Sequence, residues 1–309
     1  MQNLLQGLFS KRSQLLILNQ PAATALPALA RAVGASTLVC EDVAAPEEQA
    51  QVAALRAAGL QVHTVWHSSL LHPAQLPWPV QHLPAVFTPF RQQLEQAGLQ
   101  AAAPLPPPAT LPPTPAQVPA PWANDPAQAL AVLAGAAPAP DARSAFPYLQ
   151  GELHGGEAAA LAHLGQYLAR GLPHSYKRTR NDLMGRDYSS KWSPWLATGA
   201  LSPRQALAQL RQFEAEHGAS DGSYWPWFEL LWRDYFRFLH LQHGPALYRA
   251  RGLGPQRATP HDAQRFAAWC AGRTGQPLVD AAMRELAATG YLSNRLRQVV
   301  ASYLIYDLR

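Results

Sequence analysis

The stretch Ser36–Trp66, STLVCEDVAAPEEQAQVAALRAAGLQVHTVW, reads as strand, helix, strand. STLVC is a short apolar and β-branched run. Glu47–Ala58 is predicted helical and is closed by Gly59, and QVHTVW is a second strand over Gln61–Trp66. Two strands joined through a helix by short loops pair in parallel. Upstream, Ser13–Asn19 (SQLLILN) is predicted as a buried strand and Pro27–Val33 as a helix stopped at Gly34. The front of the chain is therefore expected to be α/β. Three strands are legible where a doubly wound sheet has about five or six, so the sheet looks incomplete at its front.

Beyond it, Ala101–Pro140 is dominated by proline and alanine. Proline fixes φ and removes a donor, so this segment is expected to be an extended connector. From Gly155 the pattern turns helical. Ala160, Leu161, Leu164, Tyr167 and Leu168 recur at three-and-four spacing. Helices are predicted from the Ser202-Pro203 signal to Gly218, over Ser223–His243, over Pro277–Thr289 with a stop at Gly290, and from a Ser293 cap over Ser293–Leu308. The fold class is α/β plus all-α. Residues 1–100 form a partial parallel-sheet domain, 101–154 a Pro-rich connector and 155–309 a helical domain.

The net charge of +5 and pI near 9.4 lean toward an anionic partner. Two distant cysteines, Cys40 and Cys270, make no disulfide framework, and no segment reads as a signal peptide or a membrane span. A cytoplasmic protein is expected. The histidines His63, His67 and His72 lack ligand spacing, so no metal is assigned.

Three blocks carry chemistry. In DYSSKWSPWLATGALSPR (187–204), Ser193-Pro194 signals a short capped helix, and Ser189, Ser190 and Lys191 stand before it with hydroxyls and a positive charge. That combination can hold phosphate; a capped helix beside a solvated basic loop is the alternative. Tyr176, Lys177, Arg178 and Arg180 add charge and a flat ring upstream. In SYWPWFELLWRDYFRFLHLQH (223–243), Trp225, Glu229, Trp232 and Phe236 share one helix face. A carboxylate among indoles needs a donor. Either Arg233, one turn on, supplies it inside an aromatic core, or a flat ligand does so in a pocket. In TGYLSNRLRQVVASYLIYDLR (289–309), Asn294, Arg295 and Arg297 open a helix where cations are mildly unfavourable, so they are expected to face an anion or to form a surface cluster.

These blocks, in this order, resemble the photolyase/cryptochrome family and most closely its DASH branch. The similarity runs through GGEAAALAHLGQYL, YKRTRNDLMGRDYSSKWSPWLATGALSPR, YWPWFELLWRDYFRFL and AWCAGRTGQPLVDAAMRELAATGYLSNRLRQVVASYLIYDL, covering essentially all of 155–308. The resemblance implies FAD folded within the helical domain. Tyr176, Ser189, Ser190, Lys191, Trp192 and Ser193 match segments that hold its phosphates and ribityl chain; Arg233 and Arg297 match residues near the cofactor. Glu229 and Trp232 match contacts to a flipped pyrimidine dimer, Asn294 and Arg295 match substrate and DNA-phosphate contacts, and Trp269 matches the outer member of an electron-carrying tryptophan chain. The implied activity is light-dependent repair of pyrimidine dimers, preferentially in single-stranded DNA, by a monomer with a folate antenna against the α/β domain. The alternatives are a blue-light receptor that binds nucleic acid without repair, and a shortened relative unable to hold flavin. The family's first strands and the continuation past YLIYDLR have no counterpart here, so the chain is expected to be truncated at both ends. That continuation carries the asparagine facing flavin N5, acidic residues at the ring edge and two inner tryptophans. Trp192 stands where leucine or phenylalanine is usual.

Overall fold

The computed structural model describes residues 13, 15–18, 20–116, 118, 146, 153–255 and 261–308. They divide between two compact units. The first takes its described residues from 1–138, 202–208 and 229–249, and the second from 139–201, 209–228 and 250–309.

In the first unit, helix α1 (Ala22–Val33) leads to strand β1 (Thr37–Glu41), helix α2 (Pro46–Ala57) and strand β2 (Gln61–Val65). The strands pair in parallel, with Leu38 opposite Val62 and Glu41 opposite Val65. Helix α1 stops at Gly34, whose φ of 71° is a left-handed conformation open to glycine without penalty. Helix α2 starts at Pro46 with Glu47 and Glu48 in its first turn, where carboxylates suit the helix dipole. Its buried Val52 and Leu55 pack with Val62 and with the half-buried Leu26, Leu38 and Cys40. The helices therefore cover the sheet face that carries Leu38 and Val62, while Val39 and Val65 on the other face are exposed.

The expected Ser13–Asn19 strand does not form among its described residues: Ser13 and Leu15–Leu18 carry no ladder, and Gln14 and Asn19 lie outside the described residues. An apolar run of this length is equally compatible with half-buried coil. Helix α1 begins at Ala22, five residues ahead of the expected start, because Pro27 is tolerated inside it.

A second core in this unit is aromatic. Helix α3 (Phe87–Gln96) contributes Phe87, Phe90 and Leu94. They meet residues of the long helix Asp221–His243, whose portion from Glu229 belongs to this unit. Phe90 lies 4.9 Å from Tyr235 and 6.2 Å from Phe238, and Trp66 stacks on Phe238 at 6.0 Å. Residues 101–116 of the connector carry no helix or strand; most of its remainder lies outside the described residues.

The second unit is helical. It contains α4 (Glu157–Ala169), α5 (Leu172–Thr179), α6 (Ser193–Ala197), the larger part of α7 (Pro203–His217), the start of α8 (Asp221–His243), α9 (Ala263–Cys270), α10 (Pro277–Thr289) and α11 (Asn294–Ser302). Val279, Ala282 and Met283 of α10 pack with Leu292, Leu296 and Val300. Helix α10 stops at Gly290, and the Ser293 hydroxyl caps α11 by accepting from the Leu296 amide, both as expected from sequence. The expected Ser293–Leu308 helix is not uniform: α11 ends at Ser302 and the chain widens into a π-type turn over Tyr303–Asp307. Ser193 is the first helical residue of α6 rather than its cap, and no side chain caps that helix. Among the described residues no helix is long and apolar enough to cross a membrane.

Candidate functional site

The site residues expected from sequence fall in both units. Tyr176, Ser189, Ser190, Lys191, Trp192, Ser193, Trp269, Asn294, Arg295 and Arg297 belong to the second unit; Glu229, Trp232 and Arg233 belong to the first.

In the second unit the loop between α5 and α6 forms a shelf around Lys191. The backbone there is left-handed, with φ 54° at a residue that carries a Cβ, and the residue is only 4% exposed. The ammonium lies 3.5 Å from the centroid of the Tyr188 ring and donates a long 3.4 Å bond to Ser189 Oγ. Among the described residues no carboxylate oxygen comes within ion-pair distance of it. Burial therefore pulls Lys191 down from its ordinary value to about 8, opposed by the more distant Asp187 and Glu285. Asp187 is engaged elsewhere: its carboxylate accepts from Arg170 at 2.9 Å, which holds it below the usual carboxylate range.

Neighbouring helices fix the loop. His163 of α4 donates from Nε2 to the Ser190 carbonyl at 2.8 Å, and burial lowers its proton affinity, so the ring is a neutral donor. Thr179 donates to the Tyr188 carbonyl at 3.0 Å. Tyr176 is buried at the end of α5. Trp192 is buried edge-on to Tyr167, with ring centroids 5.4 Å apart, and its indole N–H finds no acceptor among the described residues. A buried cation without a carboxylate beside a buried unpaired donor is costly. Both costs fall when an anionic, acceptor-rich group binds.

Other expected anion-facing residues are partly used internally. Lys177 pairs with Asp221 at 2.8 Å, and the Arg180 guanidinium lies 3.9 Å over Trp225. Arg295 donates to Asn181 Oδ1. Arg297 donates from Nε to the Leu292 carbonyl at 3.1 Å, and its guanidinium lies 5.5 Å from the Tyr291 ring. Asn294 is exposed at the start of α11. Trp269 is half-buried, donates to the Val300 carbonyl at 3.2 Å and stacks on Phe266 at 5.8 Å.

In the first unit, Trp232 is not an open platform on both faces. Phe87 of α3 stacks on it with centroids 3.8 Å apart and planes 9° apart, and Phe236 stacks at 5.4 Å. Glu229 is half-buried one turn before it. Arg233 donates to the Ser68 carbonyl. It does so beside Asp234, which sequence reasoning missed. Asp234 is 0% exposed and accepts from the Leu70 and Leu71 amides at 3.1 and 2.9 Å. Burial pushes its carboxyl up to about 7, against the pull of those two amides and of Arg233 and Arg237. Arg237 pairs with Glu41 at 3.0 Å, and Arg204 donates to the Ser69 carbonyl at 3.1 Å. Three residues of α8, with Arg204 and Glu41, thus anchor the loop that follows β2. The signal for Asp234 was legible: Leu231, Asp234 and Phe238 occupy one apolar face at three- and four-residue spacing. No comparable signal marks His163, Tyr188 or Tyr291.

Residues 226–309 match the FAD binding domain of DNA photolyase, and residues 1–112 match DNA photolyase. A cryptochrome DASH of Gloeobacter violaceus is 44% identical over 258 residues, covering 83% of this chain and 49% of that protein. A cryptochrome DASH of Synechocystis sp. is 36% identical over 319 residues, covering 99% of this chain and 62% of that protein. Among solved structures, a cryptochrome of Synechocystis sp. PCC6803 superposes with a TM-score of 0.87 at 36% identity, over 99% of this chain and 62% of that one. A bacterial class III photolyase from Agrobacterium tumefaciens does so with a TM-score of 0.74 at 28% identity, over 99% and 61%. The chain thus spans between about half and about three fifths of these relatives' length.

Proposed function

Because the chain belongs to the photolyase/cryptochrome family, we propose that it is a light-dependent DNA-repair flavoprotein, a cyclobutane pyrimidine dimer photolyase that favours single-stranded DNA. The observation that carries the reading is Lys191: a buried cation on a strained loop, without a carboxylate partner among the described residues, beside the Ser189 and Ser190 hydroxyls. Those groups, with Tyr176, the unpaired Trp192 N–H and the exposed Ser193 hydroxyl, fit the phosphates and ribityl chain of FAD. FAD, when bound, supplies the light-absorbing electron donor for splitting the cyclobutane ring. Arg233 and Arg297 are proposed to stand near it.

The protein's own part is binding, orientation and proton placement. Glu229 shares a hydrogen bond with the polar edge of the flipped dimer. Trp232 stacks on the flipped dimer with the part of its ring that Phe87 and Phe236 do not cover. Asn294 and Arg295 hold the DNA backbone. Trp269 is the outer end of a path that delivers electrons from solvent. A damaged base leaves the stack at lower cost than an intact one, and least in single strands, which favours that substrate. A folate antenna beside the α/β unit, a monomeric state and a cytoplasmic location complete the proposal.

A second reading, a blue-light receptor that binds nucleic acid without repair, draws support from the Phe87–Trp232 stack, which takes one face of the indole away from any substrate. Irradiation of the purified chain with a dimer-containing single-stranded oligonucleotide decides between them. Blue-light-dependent loss of dimers supports repair. Flavin bound without loss of dimers overturns it in favour of the receptor, and a colourless preparation that takes up no added FAD removes both.

A further inference from the structure

Tyr291, between α10 and α11, touches two cations that are far apart in sequence. The Lys191 ammonium lies 5.7 Å from its ring centroid and the Arg297 guanidinium 5.5 Å. The ring itself is fixed. Phe146 packs on it at 5.3 Å, and the Tyr291 amide donates to the Thr289 hydroxyl at 3.1 Å. The groups facing Lys191 are Asp187 and Tyr188 on its own loop, His163 from α4, Glu285 from α10, and Tyr291.

An aromatic ring and a carboxylate differ as supports for a cation. A carboxylate would neutralise Lys191 and compete with any bound anion. A ring face attracts the ammonium through its quadrupole and leaves the full positive charge available. Two cations can share such a support with less mutual cost than two cations in an apolar wall.

Resting on the flavin reading above, we propose that Tyr291 is a positioning residue: its ring is the common support for Lys191 and Arg297, which together present positive charge to the cofactor. The Tyr188 ring completes the support on the Lys191 side.

The sequence makes a direct test practical, because the chain has three lysines, Lys11, Lys177 and Lys191. The full chain is labelled with carbon-13 and nitrogen-15 lysine, and the Lys191 signal is assigned by its loss in Lys191→Met. In the wild type, ring currents move the Lys191 Cε signal upfield, and it titrates below the ordinary lysine value, at about 8. Tyr291→Leu loses part of the upfield displacement and titrates at still lower pH, because removing the ring removes stabilisation of the charged form. Tyr291→Phe, which keeps the ring face, retains both features. In parallel, FAD affinity is read by flavin fluorescence from about pH 7 to about pH 10. Tyr291→Leu weakens it by roughly twofold to thirtyfold and loses it at lower pH than the wild type, while Tyr291→Phe stays within about twofold. Should Tyr291→Leu fail to fold, Tyr291→Met takes its place. A Lys191 signal and pH profile unchanged in Tyr291→Leu, or a Tyr291→Phe variant that behaves like it, overturns the inference. A wild-type chain that takes up no added FAD refutes the flavin reading, and the lysine spectra still decide the role of Tyr291.

Discussion

Asp234→Ala removes the acceptors of two buried amides, Leu70 N–H and Leu71 N–H, from a residue with no solvent exposure. Each buried donor left unsatisfied costs about 1–3 kcal/mol, so the two together cost about 2–6 kcal/mol when the carboxyl they lose is neutral. The charge state changes this with pH. Burial raises the folded-state value from 3.8 to about 7, so the native state binds a proton that the unfolded state has already released. Stability of the wild type therefore falls as pH rises from about 4 to about 7 and is flat above. At about 1.36 kcal/mol per pH unit, the fall is bounded at about 4 kcal/mol. The alanine variant lacks this titration. Its deficit is accordingly largest at about pH 4 and below and shrinks toward about pH 8. Asp234→Asn, neutral throughout and still able to accept at one amide, loses the pH slope and keeps part of the stability. Urea unfolding of the full chain, followed by tryptophan fluorescence, measures both quantities. A deficit for Asp234→Ala below about 1 kcal/mol near pH 5, or a pH slope the same in wild type and Asp234→Asn, would refute the claim that this carboxyl fastens the loop after β2.

Three further outcomes are expected. Gly222→Ala destabilises the second unit by at least about 2 kcal/mol, read as a lower urea midpoint, because an added Cβ would sit 2.0 Å from the His174 carbonyl oxygen, backbone that cannot move aside alone. Ser293→Ala costs about 1 kcal/mol in the same assay through loss of the bond to the Leu296 amide, and Ser293→Asp recovers most of it. Glu229→Ala lowers dimer repair while leaving FAD retention within about twofold, since a hydrogen bond to the lesion is worth roughly tenfold or more; equal loss of both would return Glu229 to the aromatic core.

Much of this protein was written locally. The β1–α2–β2 unit follows from Ser36–Trp66 alone, because period-two and period-3.6 patterns and Gly59 act on their own neighbours. Gly290 and Ser293 mark their helix ends for the same reason: a cap satisfies backbone groups within one turn. The four long motifs, GGEAAALAHLGQYL and those that carry Lys191, Glu229, and Trp269 with Asn294, were enough to identify the family. Other features needed residues distant in sequence. SQLLILN is apolar enough for a strand, but a strand exists only where a partner offers its ladder, and among the described residues none does. Trp232 looked like an open platform until Phe87, 145 positions earlier, was found against it. The sequence placed Lys191 beside Ser189 and Ser190 as one of several cations that could hold phosphate, with a solvated basic loop as the alternative. Tertiary structure singled it out, since Lys177 and Arg180 found partners while Lys191 was buried over tyrosine rings, one of them 100 residues away. Local propensity is encoded in neighbours along the chain. Burial, ring stacking and the electrostatic fate of a charge belong to neighbours in space, and only folding chooses those.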